Sequence, residues 1–75
     1  MTPDAKAEMV ALARRHVRDG RAVVERQKLR VKRLADAGQS TEDAERMLCL
    51  FEDTLAIFEK HLHDLTKGTD HKRRS

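Results

Sequence analysis

The sequence predicts an all-α protein: an antiparallel two-helix hairpin of coiled-coil type that dimerises into a four-helix bundle. Three observations predict it. Apolar residues recur at alternating spacings of three and four along two long segments, a pattern that belongs to helices packed along a seam. A glycine punctuates the chain between those segments, at Ala37-Gly38. Strand signals are absent, while strong helix formers dominate and the one proline stands at position 3.

The first helix is expected over 3–37. Thr2 reads as its N-cap, Pro3 as the first helical residue and Asp4 as the acid that favours a helix start. Nothing interrupts it until Gly38, which suits the left-handed residue just past a helix C-terminus. Gly38-Gln39-Ser40 forms the turn, with Ser40 as the next N-cap and Thr41-Glu42-Asp43 opening the second helix, 41–67. Gly68 reads as its stop. Residues 1–68 therefore form one hairpin domain, and 69–75, TDHKRRS, a flexible basic tail. So short a turn makes the helices antiparallel neighbours.

The helices offer two matching seams. Helix 1 presents Val10, Ala13, Val17, Gly20, Val24, Gln27, Val31 and Leu34; helix 2 presents Ala44, Met47, Phe51, Thr54, Phe58, His61 and Leu65. Folding the chain back pairs Leu34 with Ala44, Val31 with Met47, Gln27 with Phe51, Val24 with Thr54, Gly20 with Phe58, Val17 with His61 and Ala13 with Leu65. In this register Gly20 makes room for the Phe58 ring, which would explain a mid-helix glycine that costs about 1 kcal/mol against alanine. A kink at Gly20 is the alternative. Gln27, Thr54 and His61 would be the polar seam positions that set register.

Ten of the sixteen residues from Met47 to Leu62 are apolar, more than one buried stripe requires. With the seam occupied, Leu48, Leu55 and Leu62 remain on one flank, and Leu50 and Ile57 on the other, with Met9, Leu12 and Val23 on helix 1. A contiguous patch of this kind marks an interaction surface. A chain of 75 residues buries only about 60% of its unfolded surface, and Cys49 alone allows no internal disulfide. The expectation is a homodimer through Leu48, Leu50, Leu55, Ile57, Leu62 and Val23, with docking to a helical protein partner as a further outlet. Long Arg and Lys stems covering the leucines within a monomer would be the simpler arrangement.

Charge is segregated. Residues 14–33 carry nine Lys or Arg against Asp19 and Glu25, whereas residues 41–65 carry seven acids against Arg46 and Lys60. Arg14, Arg18, Arg21, Lys28 and Lys32 lie along one flank of helix 1, a stripe that could neutralise nucleic-acid phosphates. Self-complementary pairing with the acidic second helix explains the same segregation, and with a net charge of +3 and no tryptophan or tyrosine it is the reading we expect.

No catalytic chemistry is legible. The chain has no Ser/His/Asp or Cys/His arrangement and no Gly-rich phosphate loop, so neither enzymatic activity nor a cofactor is expected. His61 and His63 are two apart and point to different helix faces, so they are not a ligand pair. A site from His16, His61, His63 and Asp64 is conceivable across the hairpin but follows no metal motif, and no metal is expected. His16 or His61 could instead make an assembly pH-sensitive. Cys49 falls on the outer face as a plain thiol, and Leu29 falls off every stripe. No apolar run approaches the ~20 residues of a membrane span. The segment MTPDAKAEM lacks the basic and apolar regions of a secretory signal, so the expected setting is cytoplasmic, away from membranes.

Residues 16–65, HVRDGRAVVERQKLRVKRLADAGQSTEDAERMLCLFEDTLAIFEKHLHDL, resemble a family of short uncharacterised helical-hairpin proteins from alphaproteobacteria such as rhizobia. The shared features are His16-Val17 followed by Gly20, then Arg26-Gln27, the glycine-containing turn, Phe51-Glu52-Asp53-Thr54-Leu55 and Lys60-His61-Leu62. The resemblance implies a helical hairpin and carries no site residues.

Overall fold

The computed structural model describes the backbone of residues 5–74 and the side chains of residues 5–67. It contains two helices, α1 (Ala5–Asp36) and α2 (Glu42–Arg74), packed against each other as a hairpin. There is no strand among the described residues. The expected cap at Thr2-Pro3-Asp4 lies outside the described residues.

Gly38 ends α1 as its position suggests. Its φ is +71°, and the chain closes on itself there: the Gly38 N–H donates to the Ala35 carbonyl (3.0 Å) and the Gln39 N–H to the Leu34 carbonyl (2.9 Å). These two bonds make a Schellman motif and satisfy carbonyls that the helix end leaves open. The start of α2 differs from expectation by one residue. Its first intrahelical bond runs from the Glu45 N–H to the Thr41 carbonyl (2.8 Å), so Thr41 takes the N-cap position; the Ser40 hydroxyl only receives a long bond (3.4 Å) from the Glu42 N–H. At the other end, the α2 backbone passes through Gly68 and continues to Arg74, so the helix runs past its expected end at residue 67. A single interior glycine costs a helix only about 1 kcal/mol, and no proline follows to stop it.

The main correction concerns register. The partly or fully buried positions of α2 include Ala44, Leu48, Phe51, Leu55, Phe58, Leu62 and Leu65, while Met47, Thr54 and His61 are exposed or lie off this stripe. Both sets alternate spacings of three and four, and both contain Ala44, Phe51, Phe58 and Leu65. They differ only in whether three leucines or Met, Thr and His complete the stripe. Apolar burial decides between them, because a leucine gains more from leaving water than a threonine or histidine. Leu48, Leu55 and Leu62, expected on a spare flank, are thus part of the hairpin's own seam. Gln27 crosses to α2 in this arrangement, its Nε2 donating to the Ala44 carbonyl (2.9 Å).

Small residues line the contact. Ala13, Val17, Val24 and Ala44 are the buried residues, and no large side chain is fully buried among those described. A Cβ placed on Gly20 would lie 3.2 Å from Leu55 Cδ1 and 3.6 Å from the Phe58 ring, so the glycine does give the two helices room to approach.

Candidate interaction face

The hairpin has two unlike faces, set by what flanks the seam. On one side α1 contributes His16, Gly20 and Val23, and α2 contributes Phe51, Leu55 and Phe58, to a shallow cleft of about 270 Å³. The His16 ring lies against Phe58, centroids 5.1 Å apart and tilted by 32°. Thr54 stands on the rim, its hydroxyl donating back to the Leu50 carbonyl (3.0 Å) and so hiding its own polar group.

Helical spacing extends this face in both directions. Leu50 and Ile57 lie one turn before and one turn after Thr54, and Met47 one turn before Leu50. On α1, Leu12 lies one turn before His16 and Met9 one turn before Leu12. All five are largely exposed, Leu50 at 60% and Ile57 at 66%. The residues expected at an interface therefore divide. Val23 and Leu55 floor this cleft, Leu50 and Ile57 rise beside it, and Leu48 belongs to the seam. Leu62 opens to the other face. The signal that sequence reading missed is Met47, which the corrected register moves from the seam to the open face.

The other face is basic. Arg14, Arg18 and Arg21 line a cleft with Arg15, Val17 and Leu62. Much of its charge is already occupied: Arg21 Nη2 donates to Glu59 Oε2 (3.3 Å), Arg18 stands 3.8 Å from Asp19, and Lys28 lies 3.3 Å from Glu25. Arg14 and Lys32 make no ion pair among the described residues. Among those residues Arg21–Glu59 is also the one ion pair that crosses between the helices; the rest join neighbours within a helix.

The conceivable grouping of His16, His61, His63 and Asp64 does not assemble. His16 packs on Phe58, His61 is exposed, and His63 approaches Asp64, Nδ1 to Oδ1 3.8 Å. Among the described residues no three His, Cys, Asp or Glu gather closely enough to hold a metal. The Asp64 carboxyl is held below the ordinary aspartate pKa by a hydrogen bond from Lys60, with smaller contributions from the charges of Lys60 and His63. Cys49 and Leu29 are exposed. No described helix is long and apolar enough to cross a membrane.

No family model, curated protein or solved structure matches the chain.

Proposed function

We propose that this protein is a small non-enzymatic interaction module that self-associates through the apolar face of Met9, Leu12, Val23, Leu50, Leu55 and Ile57, two hairpins forming a four-helix bundle. The observation that carries this reading is the mismatch between core and surface. Among the described residues only four small ones are buried, while six large apolar side chains stand exposed, five of them on the turns that helical spacing places along the same side of the hairpin. A second layer of helices is the ordinary remedy for a scaffold of this size.

A second copy suits the face better than an unrelated partner because the charge is self-complementary. α1 carries ten Lys or Arg against four acids, and residues 42–67 of α2 carry seven acids against Arg46, Lys60 and Lys67. A twofold arrangement that sets α1 of one copy beside α2 of the other brings opposite signs together. The test is the solution mass of the protein and of a Leu50→Glu, Ile57→Glu variant, whose two positions lie off the seam. The expected setting is cytoplasmic.

A nucleic-acid-associated hairpin is the second reading, favoured by the gathering of Arg14, Arg15, Arg18 and Arg21 on one cleft. Phosphate contacts there would make binding fall steeply with salt. Indifference to a duplex of about two helical turns at low salt would dismiss it.

A further inference from the structure

We infer that the turn end of the hairpin holds a binding site for a small polyphosphate, built from Arg26, Arg30 and Arg33. Their spacing of four and three places the three guanidinium groups on one strip of α1. Together with Leu34 and Gln39 they line a single open cleft of about 520 Å³. This strip is separate from the Arg14–Arg18–Arg21 stripe and shares no lining residue with its cleft.

None of the three arginines meets a carboxylate at ion-pair distance among the described residues, although α2 is rich in acids. Asp43, across the neighbouring cleft beside Arg30, stands 3.6 Å from Arg46, and Glu42 bonds the same arginine at 2.6 Å. Like charges one turn apart repel and weaken a helix. An anion bridging them would relieve that repulsion and add charge-assisted hydrogen bonds.

The geometry also selects the anion. Guanidinium forks match phosphate oxygens two at a time. Arg26 to Arg33 spans about 10 Å along the helix, the reach of a short phosphate chain rather than of a nucleic-acid groove. The only Phe, Tyr or Trp residues, Phe51 and Phe58, line the cleft farther along the hairpin, so no base-stacking platform adjoins the arginines. The site lies within one chain and does not depend on self-association.

The test uses inorganic tripolyphosphate as probe, with calorimetry and thermal unfolding of the full chain at ionic strength matched by sodium chloride. Saturable binding with a rise in unfolding temperature is expected. It should weaken about tenfold in Arg30→Gln, vanish in the Arg26→Gln, Arg30→Gln, Arg33→Gln triple variant, and persist in Arg14→Gln, Arg18→Gln. Three results overturn the site: an effect no larger than chloride's, equal losses in both sets of variants, or tighter binding per phosphate by a single-stranded DNA oligonucleotide than by tripolyphosphate. Solution mass measured alongside separates a failure here from a failure of self-association.

Discussion

Leu55 Cδ1 lies 3.2 Å from the point where a Cβ on Gly20 would stand. That separation is tight, but the atom is the end of a side chain beside an open cleft and can yield by a few tenths of an ångström. Alanine also removes the backbone freedom that makes glycine costly in a helix. Gly20→Ala is therefore expected to raise stability by about 0.5–1 kcal/mol in urea unfolding. Gly20→Leu, which cannot be absorbed there, should lower it.

The register of α2 makes neighbouring substitutions unequal. Leu55→Ala removes half-buried surface from the seam and should cost about 1–2 kcal/mol, less than the roughly 2–5 kcal/mol of a fully buried leucine. His61→Ala and Thr54→Ala, both exposed, should stay within about 0.5 kcal/mol of the parent. Chemical unfolding of the three variants checks the order; a large loss at His61 would restore the register in which it faces α1.

Gln27 crosses the hairpin near the turn to reach the Ala44 carbonyl. Gln27→Ala deletes that part-buried bond and is expected to cost about 1 kcal/mol. Faster hydrogen exchange of amides around the turn should accompany it.

Asp64 has a pKa below the ordinary aspartate value because Lys60, one turn earlier, donates to its carboxylate (3.1 Å). A carboxyl depressed in the folded state stabilises above its unfolded pKa, and that contribution is lost as pH falls through the folded pKa. Lys60→Met should therefore raise the Asp64 titration midpoint, read by carbon-detected NMR. An unchanged midpoint would mean that the pair does not persist in solution.

Much of the hairpin was legible because its signals are local. Gly38 at the turn, the absence of proline beyond position 3 and the spacing of Val17, Val24 and Val31 each point to the same two helices. The register was not legible from spacing alone, since the Met47–Thr54–His61 and Leu48–Leu55–Leu62 series run parallel through the same four shared residues. Weighing their polarity would have separated them. Arg26, Arg30 and Arg33 carry the same spacing signal as the stripe on the other flank, but that no acid reaches them depends on where α2 places its carboxylates.

Light scattering on the full chain at tens of micromolar, repeated on Leu50→Glu, Ile57→Glu, tests the open apolar face most directly. The expected result is a parent mass near twice the 8.6 kDa of one chain, and a variant that falls to the single-chain mass or unfolds. A folded parent at 8.6 kDa, unchanged by the two glutamates, would contradict self-association through this face.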